Sequence, residues 1–131
     1  MNKNGRYAFY GSLRNGMYNH GYFKNGLEYL GTETITGFKL FSLGSYPCII
    51  ETGNEEDTVV VDLFNADNAT ATRIHSMERG AGYDYKDIEI NGKDFGIYTY
   101  TRDSLNALSD RHVPGGDWVK YLHDRNATKK V

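Results

Sequence analysis

The run Thr58-Val59-Val60-Val61-Asp62-Leu63-Phe64 is β-branched and nearly all apolar. Such a run predicts a strand buried on both faces, with Val59, Val61 and Leu63 in the core. A chain of 131 residues falls in the size range of one domain and buries about two thirds of its unfolded surface. The run therefore marks the centre of a single core, in one domain over 1–131 with its packed part at about 6–122 and a tail at 125–131. Fifteen Gly against two Pro point to many tight turns and a sheet-rich fold.

Other segments fall into place around that strand. Arg6-Tyr7-Ala8-Phe9-Tyr10 is aromatic and ends at Gly11-Ser12, which reads as a short strand delivering a loop. Asn15-Gly16 is a turn signal, and Met17 to Phe23 is read as a short helix broken at Asn25-Gly26. Leu30 to Ile35 and Phe38 to Phe41 read as meandering antiparallel strands interrupted by Gly37, with a turn at Gly44-Ser45-Tyr46-Pro47. Asp67 or Asn68 caps a helix that runs to about Glu78, where Gly80 and Gly82 stop it. Asn91-Gly92 joins strands Lys86–Ile90 and Phe95–Thr101 as a hairpin, because both turn residues tolerate positive φ. Asp103 or Ser104 opens a short helix to Leu108, and Asp117 a last one through Leu122.

Charge and cysteine usage narrow the function. Fifteen basic and 17 acidic residues leave a net charge of −2 with no long run of one sign, which points away from nucleic-acid and membrane partners. The single Cys48 makes no internal disulfide, and Met1 to Gly5 lacks the apolar stretch of a signal peptide, so the chain reads as cytoplasmic. Cys48 follows Pro47 and precedes Ile49-Ile50, the setting of a small buried hydrophobe rather than a nucleophile. His20, His75, His112 and His123 show no metal spacing, so no metal is expected. Trp118 behind Gly115-Gly116-Asp117 reads as a core anchor behind an N-cap.

Two features carry chemistry. A strand that ends in Gly-Ser and then turns exposes successive backbone N–H groups, which hold a carboxylate or an oxyanion; an ordinary strand-to-turn transition has the same pattern. Glu78 falls at a predicted helix C-terminus on the face of Ile74, and both placements raise its pKa toward the range of a general acid/base. The bland alternative is a solvated glutamate paired with Arg79 or Lys86.

The segment Tyr10-Gly11-Ser12-Leu13-Arg14-Asn15-Gly16-Met17-Tyr18-Asn19-His20 resembles the opening signature of the gamma-glutamylcyclotransferase-like superfamily, closest to its short gamma-glutamylaminecyclotransferase branch. Further similarities follow in the family's order: Leu30-Gly31, Gly37-Phe38, Tyr46-Pro47, Val61 to Phe64, Met77-Glu78 with Tyr83, Tyr98-Thr99-Tyr100 and Gly116-Asp117-Trp118. The resemblance spans roughly residues 6 to 121 and implies an α+β fold, a mainly antiparallel barrel-like sheet with a few packed helices. It implies a cavity between the Tyr10-to-Leu13 loop and Glu78. Glu78 would be the catalytic acid/base, and Tyr10, Gly11, Ser12, Leu13 and Tyr83 would bind a small gamma-glutamyl amine or amino acid. The products would be 5-oxoproline and the released amine, with no cofactor.

The chain departs from the family pattern at Val61-Asp62, where Gly-Glu is usual, and at Ile74-His75, where Leu-Asp is common. Tyr83-Asp84-Tyr85 stands for the usual Tyr-x-Arg, and Arg79 follows Glu78 where glycine is common. An arginine beside the acid/base is expected to favour its charged form and weaken its basicity. Two further readings are a protein of the same fold that sequesters a small molecule without turnover, and an interaction module presenting its aromatic excess as an exposed patch.

Overall fold

The computed structural model describes residues 5–17, 20–100 and 107–129. Strand β1 (Arg6–Phe9) is followed by the short helix α1 (His20–Phe23), then β2 (Leu27–Thr36), β3 (Phe38–Ser42), β4 (Pro47–Glu51) and β5 (Thr58–Ala66). Helix α2 (Asn68–Gly80), strands β6 (Asp84–Ile90) and β7 (Lys93–Thr99), and helix α3 (Trp118–Lys129) complete the order. The architecture is α+β. A five-stranded sheet runs β2-β5-β1-β7-β6, and β3 pairs with β4 in a separate hairpin. Among the described residues, every pairing between these strands is antiparallel except β1 with β7, which run parallel through Tyr7 and Gly96. The sheet is open, with β2 and β6 as its edges.

Strand β5 lies between β1 and β2 and divides two cores. Val59, Val61 and Leu63 pack on one side with Ile35, Leu40, Ile97 and Trp118. Phe64 packs on the other with Tyr7, Phe9, Ile74 and Tyr98. This two-sided burial is why the run is apolar at almost every position rather than at alternate ones. The β6–β7 turn is Asn91-Gly92 with φ of 53° and 80°, the left-handed geometry that those two residues tolerate. Helix α2 starts where the Asp67 side chain accepts from the Thr70 N–H at 2.8 Å. Trp118 is fully buried and stacks on Tyr121 with ring centroids 5.2 Å apart.

Several boundaries differ from the sequence reading. Strands β2 and β3 do not form a meander: β2 pairs with β5 across the sheet, and β3 turns back against β4. Of the expected Met17–Phe23 helix, the described residues show one turn at His20–Phe23, continued by a 3-10 turn at Lys24–Gly26, while residues 18 and 19 lie outside the described residues. Helix α3 runs to Lys129, past Leu122 and into the stretch read as a tail. The helix expected from Asp103 or Ser104 to Leu108 falls mostly on residues 101–106, outside the described residues.

Candidate active site

The loop after β1 is placed by the end of the ladder. The last β1–β5 pair is Phe9 with Asp62, so Gly11, Ser12 and Leu13 follow the end of the β1 ladder. The Gly11 carbonyl accepts from the Arg14 N–H at 3.0 Å, closing a tight turn. Gly11 is required here by close approach: a Cβ on it would stand 2.8 Å from Cγ of Pro47.

Beneath the loop the chain buries a charge network. The Arg14 side chain turns inward, donating from Nε to Asp62 Oδ2 at 3.2 Å and from Nη1 to Asp117 Oδ1 at 2.8 Å. Asp62 also accepts from the Asn15 N–H at 2.9 Å and from the Thr32 hydroxyl at 2.7 Å. Arg14 is 7% exposed and Asp62 3%, so each charge is taken out of water and must be compensated. The network ties the loop to β5 and, through Asp117, to the start of α3, where Asp117 also accepts from the Lys120 N–H. Sequence reasoning registered Asp62 only as a departure from pattern. A lone carboxylate within an apolar buried strand already demands a partner, but the sequence does not say which of its 15 basic residues supplies it.

Helix α2 supplies Glu78. Thr70, Ala71 and Ile74 are its buried residues, and Glu78 lies one turn beyond Ile74, half-buried near the helix end. Its carbonyl accepts from the Ala81 and Tyr83 N–H groups, which close the helix and turn the chain into β6. Burial pushes the Glu78 carboxyl up to about 7. The expected influence of Arg79 does not arise. That guanidinium reaches Asp84 Oδ1 at 2.8 Å and the Tyr83 carbonyl at 3.4 Å, on the exposed side of the helix. Lys86, the other candidate partner, pairs with Glu51.

Glu78 and the loop border one cavity of about 200 Å³. The site residues expected from the sequence, Tyr10, Gly11, Ser12, Leu13, Glu78 and Tyr83, all line it, together with Tyr46-Pro47, Met77 and Tyr98. The Tyr10 hydroxyl donates to the Tyr98 carbonyl and the Tyr83 hydroxyl to the Pro47 carbonyl, each at 2.6 Å. These two tyrosines thus hold β7 and β4 in place and offer the cavity ring faces and oxygen lone pairs rather than donated protons. Burial holds both phenols well above their ordinary pKa, and the nearby Glu78 charge adds to the effect. Cys48 is fully buried, and burial pushes its thiol up to about 12, so it is no nucleophile near neutral pH. Among these groups Glu78 is the one whose proton is exchangeable near pH 7. The cavity thus brings a carboxyl that exchanges its proton near pH 7 together with the loop that follows β1.

Residues 7–120 match the family model described as gamma-glutamyl cyclotransferase, AIG2-like. The chain is 32% identical over 117 residues to the gamma-glutamylcyclotransferase family protein YtfP of Escherichia coli strain K12, covering 87% of this chain and 96% of that one. The solution structure of E. coli ytfP aligns with a TM-score of 0.67 at 31% identity, over 86% of this chain and 95% of that one. The crystal structure of the uncharacterized protein PH0828 from Pyrococcus horikoshii shares the fold, with a TM-score of 0.74 at 23% identity over 93% and 96% of the two chains. With nearly the whole folded length matched, the chain belongs to the gamma-glutamyl cyclotransferase, AIG2-like family.

Proposed function

We propose that the protein is a cyclotransferase that converts a small gamma-glutamyl amide into 5-oxoproline and a free amine, with Glu78 as general acid/base. The substrate's own α-amine is the nucleophile. It attacks the γ-carbonyl carbon, Glu78 takes the amine proton, and the negative charge on the carbonyl oxygen is met by backbone N–H groups of Gly11, Ser12 and Leu13. When the carbonyl re-forms, the bond from the γ-carbon to the departing nitrogen breaks and Glu78 returns the proton to that nitrogen. Because nucleophile and electrophile belong to one molecule, the protein's work is to hold the near-attack geometry and carry one proton. No cofactor enters this scheme. Tyr10 and Tyr83 confine the glutamyl chain with their rings.

The observation that carries the reading is the Glu78 carboxyl, held by burial at about 7 and lining the same cavity as the loop. The test is incubation of the purified protein with gamma-glutamyl amines and dipeptides, following 5-oxoproline. kcat/KM is expected to rise with pH through about 7 as the carboxylate forms. Glu78→Gln keeps size and loses the proton acceptor, so turnover should fall by at least about 10²-fold while ligand binding persists. Tight binding without 5-oxoproline release by the wild type across the panel would replace the enzyme with a sequestering protein. An undiminished rate in Glu78→Gln would move the proton transfer to another group.

A further inference from the structure

We infer that Tyr46 and Met77 select the departing amine, and that the preferred substrate is the gamma-glutamyl amide of an apolar primary amine. The inference rests on the cyclotransferase reading and specifies which amides that site takes.

The cavity lining runs from buried to exposed. Phe9, Tyr10, Tyr83 and Tyr98 are buried, whereas Tyr46 is 47% and Met77 36% exposed, and Ala81 is exposed beside them. Those three residues therefore mark the mouth. The glutamyl half of a substrate belongs inside, because its carboxylate and reacting carbonyl need the loop backbone and its α-amine must reach Glu78. A cavity of about 200 Å³ is smaller than the roughly 300–1,000 Å³ that encloses a drug-sized ligand. With the glutamyl chain inside, the substituent on the departing nitrogen is left at the mouth, against Tyr46, Met77 and Ala81.

Those residues offer one kind of contact. Tyr46 presents a ring, backed by Pro47, and Met77 an unbranched thioether that adapts to the shape laid on it. Singly exposed apolar side chains are ordinary on a protein surface, but these border the opening next to the reacting group. Met77 lines the same cavity as Glu78, so a substituent touching it lies in the space where the departing nitrogen receives its proton. At an open mouth each methylene is only partly taken out of water, which raises kcat/KM by at most about twofold.

The test compares the full chain on gamma-glutamyl amides of methylamine, butylamine and benzylamine and on gamma-glutamylglycine, with 5-oxoproline as the product measured. The benzylamide is expected to exceed the methylamide in kcat/KM by about tenfold, with the butylamide between them and gamma-glutamylglycine lowest. In Tyr46→Ser and Met77→Ser the ratio of benzylamide to methylamide, taken within each variant, should fall by at least about threefold. Thermal melts confirm that both variants fold. Equal rates on methylamide and benzylamide, or a ratio that survives in both variants, would overturn this inference and leave the cyclotransferase reading standing. Release of no 5-oxoproline from any amide would overturn both.

Discussion

Asp62 and Glu78 are both carboxylates inside the fold, both close to the Tyr10-to-Leu13 loop, and they are treated in opposite ways. Asp62 sits in the middle of the interior strand β5 and receives Arg14, the Asn15 N–H and the Thr32 hydroxyl. Glu78 sits near the end of a helix on a cavity wall, and the neighbouring cations are engaged with other acids. A buried charge with donors on both oxygens is an anchor, because moving any part leaves another uncompensated. A carboxyl pushed up to about 7 by burial is a poor anchor, but it exchanges its proton near neutral pH. The surroundings, not the residue type, separate structural from chemical acid. The first holds the loop against β5; the second lines the same cavity as the loop.

The largest effect expected from this contrast comes from emptying the anchor. Asp62→Ala leaves the Arg14 guanidinium buried with Asp117 alone and removes the acceptor of the Asn15 N–H and the Thr32 hydroxyl. Urea denaturation should show a loss of about 3–5 kcal/mol, the range for breaking one side of a buried ion pair. Replacing both partners, Arg14→Met with Asp62→Leu, should cost less than Asp62→Ala alone, since no buried charge is then orphaned. A loss under about 1 kcal/mol for Asp62→Ala would mean that water reaches Arg14, and the contrast with Glu78 would collapse.

The opposite sign is expected at Glu78. Its folded value of about 7 lies above the ordinary 4.5, so between those two values the folded state holds more protons than the unfolded one. Stability then falls as pH rises through that window. Below about pH 4.5 the carboxyl is protonated in both states and exacts no penalty; above about pH 7 the penalty is complete, on the order of 1–3 kcal/mol. Glu78→Gln should therefore be more stable than the wild type at pH 8 by about that amount and equal to it at pH 4, as read by denaturant midpoints at the two pH values. A variant no more stable than the wild type at pH 8 would show that the Glu78 carboxylate is well solvated, and with it the basis for its acid/base role would go.

How much of this was legible in the chain follows from how local each signal is. The Thr58–Phe64 run, the Asp67 cap and the Asn91-Gly92 turn are read within a few residues, and all three form as expected. Pairing partners are not local. Nothing in Leu27–Thr36 says that its neighbour is Thr58–Ala66 rather than the adjacent Phe38–Ser42, and nothing in Tyr7 points to Gly96. Strand β4 went unread because Cys48-Ile49-Ile50 is a short apolar stretch directly behind a proline and a turn. At the site, the loop and Glu78 stood out through the family resemblance more than through their own chemistry. The raised Glu78 value was expected partly from the helix end, whereas burial is its cause. Asp62 with Arg14 was invisible as a pair because 48 positions separate them, and only the folded sheet brings them together.

The smallest effect expected is at Arg79, and its smallness is informative. The sequence places this cation next to Glu78, and adjacency alone predicts that removing it raises the Glu78 value further and shifts the pH profile of any acid/base chemistry. In the structure adjacency along a helix does not mean contact, since consecutive residues point about 100° apart around the axis. Arg79 pairs instead with Asp84, and both side chains are 53% exposed. An ion pair in that setting is screened by water and salt and contributes at most about 0.2–1 kcal/mol. Arg79→Ala should therefore leave the denaturation midpoint nearly unchanged, with the small loss shrinking further at high salt. The Glu78 titration, followed by NMR of the side-chain carboxyl, should stay at about 7, as in the wild type. An upward displacement by one unit or more would show that the guanidinium reaches the cavity. Glu78 would then be a partly compensated acid, nearer to Asp62 in kind than its surroundings indicate.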